Sequence, residues 1–206
     1  VKRSDTIVLG LGYPTIIPDN GIVALSVADV NGVILAGLLI DAGPVNSPAL
    51  LQVGTQKHHG HGQKHGSDPE DPTSLHDVFF RIGGAAPGKA TLSLVVNSDN
   101  VILDHIWAWR ADHGQGVGWD VNTADTGVIV NGDNVMAYGL FVEHYQKYQL
   151  IWNGENGRTI VIKCTEDEDG HPELHQTYRF YGGWSSYTNK YTGIIKDYWG
   201  NGVSCA

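Results

Sequence analysis

The feature that most constrains this chain is a phrase that recurs along it. Asn31-Gly-Val-Ile-Leu-Ala-Gly-Leu-Leu-Ile-Asp41 reads as a turn followed by an apolar strand. Asn100-Val-Ile-Leu-Asp-His-Ile-Trp-Ala-Trp109 repeats it, and so does Asn134-Val-Met-Ala-Tyr-Gly-Leu-Phe-Val-Glu143. Setting Val33, Val101 and Val135 equivalent gives separations of 68 and 34 residues, a ratio of two to one. A second phrase lies between the copies. Leu50-Leu-Gln-Val-Gly54, Val128-Ile-Val-Asn-Gly132 and Leu150-Ile-Trp-Asn-Gly154 are short strands ending in Gly, with Val78-Phe-Phe-Arg-Ile-Gly83 as a looser relative.

Short strands closed by Asn and Gly at such intervals predict an all-β parallel solenoid. One coil cannot bury its inner face alone. Stacking coils about 4.8 Å apart builds a continuous core and pairs each strand with its successor. Composition agrees. The 206 residues include 27 Gly and 8 Pro, too many for long helices. Charged residues are only 17%, too few for a disordered chain. The competing reading of the same turn signals is an antiparallel sandwich. The ordered alternation of two phrases favours the solenoid. Its coils are expected over residues 1–164, with a polar His-rich insertion at 57–72, and residues 165–206 are expected to form a cap or departing segment.

Charge and hydropathy exclude some partners. The balance is 13 Lys+Arg against 22 Asp+Glu, net −9, so neither nucleic acid nor an anionic membrane surface is expected as a partner. The longest apolar run, Val33 to Ile40, is far short of the roughly 20 residues that a spanning helix needs. The chain starts Val-Lys-Arg-Ser-Asp without Met and enters a strand directly. It reads as a mature or trimmed piece of a longer secreted, extracellular protein. Its coils would be completed by further segments or chains. Cys164 and Cys205 permit one disulfide and have no metal-ligand spacing.

Chemistry concentrates around the middle copy of the phrase. In register, Asp41, Trp109 and Glu143 form one column and Arg110 and His144 the next. Asp104 aligns with Tyr138, and His105 with Gly139. An aromatic wall, a cation and carboxylates on one face suit a sugar. Glycoside hydrolysis needs two carboxyl groups across the scissile bond. The candidates are Glu143, Asp112, Asp120 and Asp104, with Glu143 as general acid and Asp112 or Asp120 orienting water. Asp104 also suits a corner residue bonding backbone amides, and Glu143 a partner of Arg110 or Lys147. Trp107, Trp109, Arg110, His113, Trp119 and His144 are the expected substrate-binding residues. No metal or other cofactor is implied, except that a polysaccharide lyase would need Ca²⁺ beside a base such as Arg110.

The string Leu103-Asp-His-Ile-Trp-Ala-Trp-Arg-Ala-Asp-His-Gly114, with Gly118-Trp-Asp-Val-Asn-Thr-Ala-Asp-Thr-Gly127 and Tyr138-Gly-Leu-Phe-Val-Glu-His-Tyr-Gln-Lys-Tyr-Gln149, is distinctive. It resembles large secreted microbial proteins with a pectate-lyase-like right-handed β-helix, related to glycoside hydrolase family 55, the β-1,3-glucanases. Asp41-Ala-Gly-Pro-Val-Asn-Ser47 and Asp77-Val-Phe-Phe-Arg-Ile-Gly-Gly84 look like the same group. The resemblance covers roughly residues 4 to 160. After Thr159 the Tyr/Pro-rich continuation is replaced by Ile160-Val-Ile-Lys-Cys-Thr165. The resemblance implies a right-handed helix that is a segment of a longer one, and inverting exo-hydrolysis of β-glucan or a related wall polysaccharide. It carries no catalytic residue onto a matching position. A non-catalytic, polysaccharide-binding or assembly-forming solenoid is the alternative from another class, and a lyase the second alternative.

Overall fold

The computed structural model describes residues 1–55, 68–165 and 178–180. All of its described regular structure is β. The chain alternates between two parallel sheets. The first takes β1 (Ile7–Leu9), β2 (Thr15–Ile16), β4 (Ile34–Asp41), β6 (Ser74–Ile82), β8 (Ile102–Arg110), β10 (Met136–Glu143) and β12 (Arg158–Thr165). The second takes β3 (Leu25–Val27), β5 (Leu51–Val53), β7 (Leu92–Val96), β9 (Thr126–Val130), β11 (Tyr148–Trp152) and β13 (Tyr178–Phe180). Each strand pairs in parallel with the strand one circuit away. Parallel neighbours exclude the antiparallel sandwich, whose hairpins would pair consecutive strands.

The register places Ile34, Ser74, Ile102 and Met136 in one column, as the phrase alignment requires. It also shows two strands that the phrase alignment misplaces. The wide first interval hides a whole circuit, headed by β6. The looser phrase Val78–Gly83 therefore belongs to the first sheet and not the second. The second-sheet strand of that circuit is β7, which runs into Asn97-Ser98 where its neighbours end in Asn-Gly. Of the His-rich insertion, residues 56–67 lie outside the described residues. So do most of the expected cap and the Cys164–Cys205 pairing. From the segment beyond 165, Tyr178–Phe180 pairs with β11.

Inside, the core is aliphatic. Leu35, Leu38 and Ile40 of β4 stack on Leu75, Val78 and Phe80 of β6, then on Leu103, Ile106 and Ala108 of β8, all fully buried or nearly so. Leu51, Leu94, Val128 and Leu150 face them from the second sheet. The inward spacing in the first sheet is not a strict alternation. Three residues separate Leu103 from Ile106, and two separate Ile106 from Ala108. The cause is a column of left-handed residues, Gly37, Asp77, His105 and Gly139, with φ of 66°, 52°, 55° and 64°. One such residue per strand adds a step, bends the strand and reverses which parity faces the core. A ladder of side-chain amides closes the corner after the second sheet. Asn131 donates to Asn97 Oδ1 (2.8 Å), and Asn153 to Asn131 Oδ1 (2.6 Å).

Candidate functional site

Because of that bend, Phe79, Trp107 and Phe141 stand in one outward column of the first sheet, and Asp41, Arg81, Trp109 and Glu143 in another. Aromatic rings then pack on each other. Trp107 and Trp109 stack at 5.3 Å and 19°. Tyr13, from the segment between β1 and β2, stacks on Phe79 at 5.5 Å. An open groove of about 270 Å³ results, lined by Phe79, His105, Trp107, Phe141 and Glu143.

Glu143 is the carboxylate of this groove. It is only 7% exposed, and its Oε2 accepts the indole N–H of Trp107 at 2.8 Å. A hydrogen bond donated to a carboxylate favours the ionised form. Lys147, one expected partner, instead pairs with Asp125 on the neighbouring circuit.

Asp112 lies just past β8 and gathers three neighbours. Its Oδ1 accepts from Trp109 Nε1 (3.2 Å) and faces His113 Nδ1 (2.8 Å), while its Oδ2 is 3.8 Å from His144 Nε2. Burial works to raise its pKa. Its backbone hydrogen bond, the His113 ring and the charges of His144 and His113 outweigh burial, so the carboxyl is held below its ordinary value. His113 itself is exposed and its ring rests on Trp109, 5.1 Å between centroids. His144 is 5% exposed.

Arg110 does not lie on the groove. With Trp109 outward, its neighbour on the strand points inward, and Arg110 is 2% exposed. Its guanidinium donates to the carbonyls of Asn122 (3.0 Å), His144 (3.1 Å) and Gly118 (3.2 Å). It also sits 5.3 Å from the Trp119 ring centroid. Arg110 and Trp119 thus tie down the loop that presents Asp112 and His113. Asn122, fully buried, completes the tie by donating to the carbonyls of Ile82 and Ala111. Asp120 is exposed on the same loop. Asp104 is not a corner residue. It lies within β8, and its carboxylate meets His76 Nδ1 of β6 at 3.1 Å.

Two groove features escape sequence reasoning. Arg81 holds Asp41 through two hydrogen bonds of 2.7 Å, so Asp41 is committed to an ion pair. Their shared column was the available signal, hidden by the missing circuit. His105 lies in the groove with its Nδ1 2.5 Å from Asp77 Oδ1. Among the described residues, no three His, Cys, Asp or Glu side chains are grouped to hold a metal ion, and no helix is long and apolar enough to cross a membrane.

Comparison with known proteins fits this architecture. The chain is 51% identical over 205 residues to an exo-beta-1,3-glucanase of Streptomyces sp. (strain SirexAA-E / ActE), covering 100% of this chain and 33% of that protein. The solved structure of sacteLam55A from Streptomyces sp. SirexAA-E superposes with a TM-score of 0.80 at 51% identity, over 90% of this chain and 35% of that one. A variant of the same protein in complex with glucose superposes with a TM-score of 0.81 over 89% and 35%. The chain therefore spans about a third of the length of these relatives. The model of the LAM55 pectate lyase-like domain matches residues 1–165, and the chain belongs to that family.

Proposed function

We propose that this chain is a segment of a right-handed parallel β-helix in a secreted, extracellular exo-β-1,3-glucanase, and that its outward groove takes a glucosyl unit of the polysaccharide. The observation that carries this reading is the 51% identity across the chain to a protein of that name. The groove supports it. Apolar sugar faces stack on rings such as Phe79, Trp107 and Phe141, and hydroxyls donate to a fixed carboxylate such as Glu143.

Glu143, held by an indole donor, suits the ionised partner that orients water or a hydroxyl better than the general acid. Asp112, with its lowered pKa, is equally unsuited to donate a proton. The general acid then comes from residues beyond those described. A lyase using Arg110 as base finds no support, since that side chain is buried under carbonyls. Further protein covers the edge of β1, where Ile7, Leu9 and Leu11 are 66%, 61% and 84% exposed.

The test is glucose release from laminarin by the protein carrying this chain, and by its Glu143→Gln variant. Loss of turnover with retained folding is expected. Unchanged turnover in the variant would remove Glu143 from the reaction, and no release by wild type would remove the glucanase reading.

A further inference from the structure

The left-handed column in the first sheet contains an anomaly. Gly37 and Gly139 adopt φ near +65° without penalty, because glycine has no Cβ to clash. The two circuits between them place Asp77 and His105 there instead, at φ 52° and 55°. Side chains at such positions are uncommon and cluster at functional sites. These two are bonded to each other, and only His105 reaches the groove.

The arrangement fixes what the ring offers. Asp77 Oδ1 lies 2.5 Å from Nδ1, so the neutral imidazole carries its proton on Nδ1 and presents the Nε2 lone pair. Phe79 and Phe141 meet the ring edge-on, at 5.2 and 6.3 Å, and hold its plane. Among the described residues Nε2 has no hydrogen-bond partner. The groove thus holds an acceptor at His105 and a second at Glu143, between aromatic walls.

We propose that the Asp77–His105 pair is a hydroxyl-recognition site, in which Nε2 of His105 accepts a hydrogen bond from one hydroxyl of a neutral sugar in the groove and Asp77 is the positioning residue that sets the ring's tautomer. This rests on the glucan reading. Two acceptors select for hydroxyl donors and against the carboxylate of an acidic sugar.

The experiment measures affinity of the protein for a β-1,3-linked glucose trisaccharide, and for versions lacking one hydroxyl of a single ring. His105→Gly is the main variant. It keeps a residue that favours the left-handed conformation, so its melting temperature is expected to be no lower than that of wild type. Its affinity is expected to fall about tenfold. One deoxy sugar should lose as much on wild type and lose nothing further on His105→Gly. Asp77→Asn, which retains an acceptor oxygen and tolerates positive φ, should bind nearly as wild type, whereas Asp77→Gly should fall with His105→Gly. Wild-type affinity in His105→Gly, or additive losses with every deoxy sugar, overturns the pair's role while leaving the glucan reading standing. No binding of the trisaccharide by wild type overturns both.

Discussion

The indole N–H of Trp107 reaches across one inter-strand step to Glu143 Oε2, 2.8 Å away, although 36 residues separate them in the chain. Trp107 therefore has two duties on one face. Its ring builds the groove wall, and its nitrogen is a donor to a nearly buried carboxylate. Trp107→Phe keeps the wall and removes the donor. A buried acceptor deprived of its donor costs about 1–3 kcal/mol, and that is the loss expected in urea denaturation. Turnover on laminarin should fall at least tenfold, because the carboxylate loses its fixed position. A variant as stable and as active as wild type would show that the hydrogen bond has no role.

Arg110→Met tests the loop that presents Asp112. The guanidinium satisfies carbonyls of Asn122, His144 and Gly118 while itself buried. Removing it leaves those acceptors unpaired, so a loss of about 2–4 kcal/mol is expected, with early proteolytic cleavage in the loop between β8 and β9. Arg110→Lys should not rescue it, since an ammonium cannot reproduce a planar fork aimed at several carbonyls.

What could be read from the sequence, and what could not, follows from the left-handed column. The columns joining Trp109 with Glu143 and Asp104 with Tyr138 were legible, because Val33, Val101 and Val135 mark equivalent steps whatever the strand's internal shape. Which face each residue takes was not. His105 in a left-handed conformation shifts the parity within β8, so Ile106, Ala108 and Arg110 point inward and Trp107 and Trp109 outward. Nothing in the identity of a histidine announces positive φ, whereas Gly37 and Gly139 give that hint. The circuit of β6 and β7 was hidden for two reasons. Ser74 stands where its neighbours have Ile or Met, and Ser98 replaces the corner glycine.

Asp112 predicts a pH dependence of stability. Its folded pKa is below the ordinary 3.8 of an unfolded carboxyl. A group shifted this way contributes stability while it is ionised. The contribution is complete above the unfolded value and is lost as pH falls through the folded one. Wild type should therefore exceed Asp112→Asn in urea midpoint at about pH 5, and the gap should close as pH drops towards about 2. A gap that stays constant over that window would mean that the carboxylate's charge is not what stabilises the fold.

The amide ladder predicts a positional effect. Asn131 both donates to Asn97 and accepts from Asn153, so Asn131→Ala breaks two bonds and Asn153→Ala one. Asn97 is nearly buried, and its Oδ1 loses its donor in the first case. Denaturant midpoints should rank wild type above Asn153→Ala above Asn131→Ala, with about 1–2 kcal/mol lost in the last. Equal losses would show that the ladder is a coincidence of stacked turns.

Two glycines on the same circuit separate two reasons for having glycine. Gly139 has φ of 64°, and a Cβ there would meet Phe141 only at an ordinary 3.7 Å. Gly139→Ala should therefore cost backbone strain alone, about 1–2 kcal/mol, and Gly139→Asn less, because asparagine tolerates the left-handed region. Gly132 needs no positive φ, but a Cβ there would fall 1.8 Å from the carbonyl oxygen of Ser98 on the previous circuit. No rotamer relieves a clash with backbone, so the two circuits must separate and the bonds around them must stretch. Gly132→Ala should lose more than Gly139→Ala, by at least about 1–3 kcal/mol in urea denaturation, and Gly132→Asn should be no better than Gly132→Ala. Equal losses for the two alanine variants would mean that the circuits can part at that corner without cost, and that the tight stacking there does not hold the register.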